Sequence, residues 1–185
     1  MNIADEIKRY KPINAEEKAE WEIIKAFLEE KGELALTRAS QLAHFTSTAM
    51  IFNEAKNKLL MVHHNIHHTW ACVGGHADGM ADLLQVALKE AEEETGLSRV
   101  TPITEEILSL DILHVAKHYK RGEYVPDHLH LNATYGLMAS EGETLQIKKD
   151  ENSGVQWVPI SKLKDYTKEE EFVRVYKKVI KKAIK

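Results

Sequence analysis

The chain has 185 residues, 43% of them hydrophobic and 29% charged, with a formal net charge of −4. That length and apolar content fit one cored domain with a short extension, and no run approaches the ~20 apolar residues of a membrane span. The acidic balance leaves no basic footprint for polymeric nucleic acid, and a single cysteine, Cys72, excludes an internal disulfide. The opening Met1-Asn2-Ile3-Ala4-Asp5-Glu6 is polar and acidic, unlike a signal peptide, so a reducing cytoplasm is the expected location.

Residues 1–43 read as a helical extension. Asn14 followed by Glu17 is a capping pair, and Trp21, Ile24 and Leu28 form a helical stripe ending at Lys31-Gly32. A second short helix is expected over Glu33 to Gln41. The extension is expected to cover the core or to build a homodimer contact. Residues 44–185 form the expected main domain. His44 to Phe52 alternates as a strand does, Asn53 to Asn57 is turn chemistry, and Leu59 to Val62 is a buried strand. Thr69 to Val73 is a further strand that delivers the chain to Gly74 and Gly75.

The next stretch organises the chain. Asp82 and Gln85 have capping-box spacing, Gly96 supplies a left-handed stop, and Leu84, Leu88 and Ala91 share one helical face. Glu90, Glu93 and Glu94 fall at i, i+3 and i+4, so their carboxylates converge at the helix end where the macrodipole disfavours negative charge. Two carboxylates ~4 Å apart repel by about 4 kcal/mol at an effective dielectric of ~20. A hard divalent cation, Mg²⁺ or Mn²⁺, would relieve that repulsion.

Beyond this helix, Ile107 to Val115 and Leu129 to Ala139 read as strands joined by the polar loop Lys120 to Pro126. Val155 to Ile160 is a last strand that Pro159 ends, and Ser161 to Tyr166 is a short helix. Thr167 and Glu170 have the spacing to cap a final amphipathic helix through Val173, Tyr176 and Ile180. There is no internal repeat and no low-complexity linker.

The run Gly75 to Leu97 resembles the Nudix box, G-x5-E-x7-R-E-U-x-E-E-x-G-U with U aliphatic. Gly75 takes the opening glycine, and Lys89-Glu90-Ala91-Glu92-Glu93-Glu94-Thr95-Gly96-Leu97 takes the closing half. Ala81 stands where the first Glu belongs and Lys89 where the Arg belongs. The resemblance extends from about His44 to about Tyr166. It implies an α/β/α sandwich with a mixed β-sheet. It also implies hydrolysis of a pyrophosphate link in a nucleoside diphosphate joined to another moiety, X. By position it implies Glu90, Glu93 and Glu94 as metal-binding acids, with the Gly75 carbonyl as a further ligand. The family usually adds an acid from a later loop as base or ligand, and of Asp150 and Glu151 the better placed is Glu151. His76, Lys89 and Trp70 are the expected substrate contacts. Lys89 keeps the charge of the box Arg but not its forked geometry, and Asp78 and Asp82 flank the gap at Ala81.

Ten histidines are many for this length. His63, His64, His67, His68, His76, His114, His118, His128 and His130 fall near the expected cleft. By the period of two, His114 with His118 and His128 with His130 each share a face, a grouping that fits a transition-metal or phosphate site if those strands pair. Two alternatives stand beside the hydrolase. One is an enzyme like isopentenyl-diphosphate isomerase, whose nucleophilic Cys directly precedes a Gly-His pair; here Gly74 holds that position. The other is a catalytically inactive nucleotide-binding module. X remains open among ADP-ribose, a dinucleoside polyphosphate, a damaged nucleotide and a sugar nucleotide.

Overall fold

The computed structural model of the protein describes residues 2–65, 68–120, 122–167 and 170–184. The extension begins with α1 (Ile3–Arg9), capped by Asn2, whose Oδ1 accepts the Ala4 N–H at 3.0 Å. The helix α2 (Ala15–Lys31) starts at Asn14, which accepts the Glu17 N–H at 2.8 Å, and stops at Gly32 with φ 54°. The helix expected over Glu33 to Gln41 is only a 3₁₀ turn, Gly32–Leu36. The chain then bends at Thr37 and Ser40, two residues that favour turns over helix interiors.

The strand β1 (Ala43–Phe52) is the spine of a mixed sheet. It pairs in parallel with β9 (His128–Met138) and antiparallel with β2 (Lys58–His64) and β4 (Val73–His76). β2 also pairs with β10 (Asn152–Pro159) and with the two-residue β3 (Trp70–Ala71). β9 also takes β5 (Thr101–Pro102) and β6 (Ser109–Val115) antiparallel. The single strand expected over Thr69 to Val73 is therefore split at Cys72, because its two halves pair with different neighbours, β2 and β1. The expected polar loop from Lys120 is instead a small separate ribbon, β7 (His118–Lys120) with β8 (Glu123–Val125).

Helices cover both faces. One core joins α1, α2 and α3 (Leu83–Thr95) to the sheet through Ile7, Ile24, Phe45, Ala91, Leu131 and Tyr135. The other joins α5 (Glu170–Ala183) to the sheet through Met50, Phe52, Met61, Val158, Val175 and Val179. A short 3₁₀ turn and α4 (Leu163–Tyr166) lead into α5. The Thr167 hydroxyl donates to the Trp70 carbonyl at 2.7 Å, and the expected cap falls on residues 168–169, which lie outside the described residues.

The extension is built into the domain by buried charge as well as by apolar contact. Glu6 on α1 accepts from the Tyr135 hydroxyl at 2.6 Å. Glu17 on α2 accepts from Tyr10 Oη at 2.5 Å and from Lys178 Nζ on α5 at 3.3 Å. Lys178 also donates to Asp111 on β6. Among the described residues no helix is long and apolar enough to cross a membrane.

Candidate metal centre

The loop after β4 delivers the chain to α3, where Asp82 accepts the Gln85 N–H at 3.2 Å and Ser47 Oγ donates to the Leu83 carbonyl at 2.7 Å. At the other end Gly96, with φ 74°, caps the helix in the left-handed conformation. These anchors fix the helix rotation, so Ala91 and Leu84 enter the core while Glu90 and Glu94 turn toward β4.

Glu94 is only 3% exposed. Its Oε1 accepts the Gly74 N–H at 3.1 Å, yet burial pushes its pKa up to about 7. Burial likewise raises Glu90. The Glu90 carboxylate lies in the space a side chain at Gly75 would fill, since a Cβ there would overlap its atoms. Gly75→Ala is therefore expected to displace Glu90 and to weaken Mn²⁺ binding by about 10–100-fold, read by titration, with the fold intact by circular dichroism.

A third carboxylate arrives from the segment before β10. The Gln146 N–H donates to the Thr95 carbonyl at 2.8 Å, and Asn152 Nδ2 donates to the Glu94 carbonyl at 3.3 Å, which straps this segment onto the end of α3. Within it the Glu151 and Asn152 N–H groups both reach the Lys148 carbonyl. The ligand atoms of Glu90, Glu94 and Glu151 consequently all lie within 4.8 Å of one another. Asp150 is not in this group.

Glu93, also expected among the ligands, lies outside that group. It faces Lys89 at 3.7 Å and Lys148 at 3.5 Å. Lys148, which the sequence reading missed, also meets Glu151 at 3.2 Å. Burial works against its ammonium, but Glu151, Glu90 and Glu93 outweigh that and hold its pKa above the ordinary range. Lys89 thus meets the outer glutamate, and Lys148 links it to the loop acid. Neither Asp78 nor Asp82 joins the acids: Asp82 caps α3, and Asp78 is gripped by Arg38 through two bonds of 2.8 and 2.6 Å. Trp70 packs edge-on against His63 and Tyr166, beside the second core.

The family model of the NUDIX domain matches residues 43–182. The chain belongs to the Nudix family. No curated relative matches it. Solved structures share the Nudix fold at low identity. An Ap4A hydrolase of C. elegans, in a binary complex, is 16% identical with a TM-score of 0.55, covering 72% of this chain and 93% of its own. The NUDIX domain of NrtR from Shewanella oneidensis, in complex with ADP ribose, is 18% identical with a TM-score of 0.53, covering 98% and 99%. The dihydroneopterin triphosphate pyrophosphohydrolase of E. coli is 13% identical with a TM-score of 0.54, covering 75% and 92%. The mixed sheet between helical layers expected from the resemblance is the architecture of this Nudix chain.

The histidines regroup. The register opposes His44 to His130 and Thr46 to His76, so His44, His76, His128 and His130 all project from one sheet face. His114 lies opposite Leu129 and takes the other face, where it meets Asp127 at 3.2 Å. His118 belongs to the separate ribbon, its ring 6.4 Å from that of His128. The expected group of His114, His118, His128 and His130 is therefore corrected to His44, His76, His128 and His130. His67 lies outside the described residues.

Proposed function

We propose that this Nudix chain is a Mg²⁺- or Mn²⁺-dependent hydrolase that cleaves the pyrophosphate link of a nucleoside diphosphate joined to another moiety. The observation that carries the reading is the convergence of Glu90, Glu94 and Glu151, with Glu94 bonded to Gly74 and Glu90 packed on Gly75 of β4. A carboxylate as buried as Glu94, with one N–H donor and acidic neighbours, fits a hard divalent cation. Glu90, Glu94 and Glu151 would hold it, with the Gly75 carbonyl beside them, and Glu93 would join only by leaving its lysines. When bound, such an ion supplies charge neutralisation at phosphate oxygens and a more acidic water. The chain's own groups do the positioning. Gly74 N–H fixes one Glu94 oxygen, the missing side chain at Gly75 makes room for Glu90, and Lys148 steadies Glu151. Lys89 is the contact proposed for the substrate phosphates, whereas His76 projects from the side of β4 away from the carboxylates.

ADP-ribose, dinucleoside polyphosphates and sugar nucleotides are the compounds to screen, because relatives of this fold were solved as an Ap4A hydrolase and as an ADP-ribose complex. The expected result is release of a nucleoside monophosphate that stops in EDTA and resumes with Mg²⁺ or Mn²⁺. Hydrolysis undiminished in EDTA would refute the reading.

The isomerase alternative gains no support from Cys72. Its thiol is pushed up to about 12 by desolvation, which leaves almost no thiolate at neutral pH. Cys72→Ala is expected to change kcat/KM by less than threefold, measured on whichever compound the screen identifies. A hundredfold loss in a folded variant would reopen the isomerase reading.

A further inference from the structure

The carboxylates occupy the α3 side of β4. Its other side carries a different donor set, made only of imidazole. Ligand atoms of His44, His76 and His130 all lie within 4.8 Å of one another. Ring centroids of the three are 4.9 to 5.2 Å apart, and His128 lies 5.1 Å from both His44 and His130.

The tautomer of His44 is fixed from behind. Its Nδ1 is 3.0 Å from the Ser40 carbonyl, an acceptor only, so Nδ1 carries the proton and Nε2 keeps a lone pair. His44 is 5% exposed, and that Nε2 is buried with no hydrogen-bond partner. A buried acceptor left unpaired keeps its full desolvation penalty, so it calls for an occupant. An imidazole whose rear N–H is held by a carbonyl while its front nitrogen is bare is the arrangement that orients metal-binding histidine. His128 shares only the rear contact, with Nδ1 2.9 Å from the Pro126 carbonyl, while its Nε2 is 3.3 Å from His130 Nε2. Arg38, whose charge bears on His44 and His130, is paired with Asp78 through two bonds.

We infer that His44, His76 and His130 form a second metal site, selective for a borderline-soft divalent ion such as Zn²⁺. Neutral imidazoles suit Zn²⁺, whereas carboxylates suit Mg²⁺ or Mn²⁺, so the two faces of β4 sort ions by chemistry. Three histidines leave a fourth position for water or an anionic ligand atom. The covalent link between the sites is one peptide unit: Gly75 packs against Glu90, and His76 is the next residue. The inference does not depend on the hydrolase reading.

The test titrates metal-stripped full-length protein with Zn²⁺ in the presence of excess Mg²⁺, by calorimetry, with Co²⁺ absorption as a second probe. Wild type is expected to bind one equivalent of Zn²⁺ tightly despite the Mg²⁺, and Glu90→Gln and Glu94→Gln are expected to keep that affinity. His44→Gln and His130→Gln should each weaken it by 10²-fold or more. Because a histidine variant could fail to fold, zinc-edge X-ray absorption on the wild-type protein supplies a reading without substitution. Imidazole nitrogens at about 2.0–2.1 Å are expected. An oxygen-only shell, loss of the tight site in the glutamate variants, or no stoichiometric Zn²⁺ binding would each overturn the proposal.

Discussion

Glu94→Gln is expected to raise the melting temperature of the metal-free protein and to cut metal-dependent turnover by two decades or more. Both effects have one cause. Burial holds the folded-state pKa of Glu94 at about 7, against an ordinary 4.5. Between those values the unfolded chain releases a proton that the folded chain retains, so stability falls as pH rises from 4.5 to 7 and the full penalty persists above it. At about 1.4 kcal/mol per pH unit, the penalty is on the order of 3 kcal/mol. Gln keeps an oxygen for the Gly74 N–H and removes the charge, which corresponds to a gain of roughly 6–12 °C at pH 8 for a domain of this size. The gain should shrink toward zero near pH 5, where the wild-type acid is already protonated. In wild type alone, Mg²⁺ at a hundred times Kd should add about 2.7 kcal/mol. Scanning calorimetry at pH 5 and pH 8, with EDTA and with Mg²⁺, reads all three effects. A variant that melts lower than wild type at pH 8 without metal would show that protein donors, not an ion, satisfy Glu94.

Lys178→Met is expected to lower stability by about 3–5 kcal/mol, a fall of roughly 6–20 °C in Tm. Lys178 on α5 lies between Asp111, which is fully buried, and Glu17, which is 1% exposed. Removing the ammonium leaves Asp111, among the described residues, with the Ser109 hydroxyl 2.6 Å away as a side-chain donor. Glu17 retains Tyr10 and Lys182. An uncompensated buried carboxylate is costly, whereas an apolar pair in the same space need not be. Lys178→Met combined with Asp111→Leu should therefore recover most of the loss in urea melts. A single variant as stable as wild type would mean that α2, β6 and α5 are not joined through this charge cluster.

The sequence was most legible where side chain and backbone settle the matter within a few residues. Asn14 and Asp82 cap helices and Gly96 ends one, as their spacing indicates. Glu151 was also reachable, as an acid just before the last strand. What escaped depends on distant partners. The Thr167 hydroxyl also reaches back to the Trp70 carbonyl, almost a hundred residues earlier in the chain. The period of two paired His114 with His118, although the chain leaves the sheet between them. His44 could not be grouped with His130 without knowing that β1 and β9 run parallel in that register. Lys148 looked like one lysine among many until Glu93 and Glu151 were placed on either side of it. The α1 helix escaped because its short apolar set, Ile3 and Ile7, becomes meaningful only against the sheet.

Mn²⁺ binding followed by electron paramagnetic resonance tests the carboxylate centre most directly, because it needs no substrate. Metal-stripped wild-type protein should remove Mn²⁺ from solution with saturable stoichiometry. Glu151→Gln, a loop substitution that leaves α3 intact, should weaken that binding at least tenfold, and Glu94→Gln should weaken it further. Equal Mn²⁺ affinity in wild type and both variants would contradict the assignment of Glu90, Glu94 and Glu151 as the metal centre.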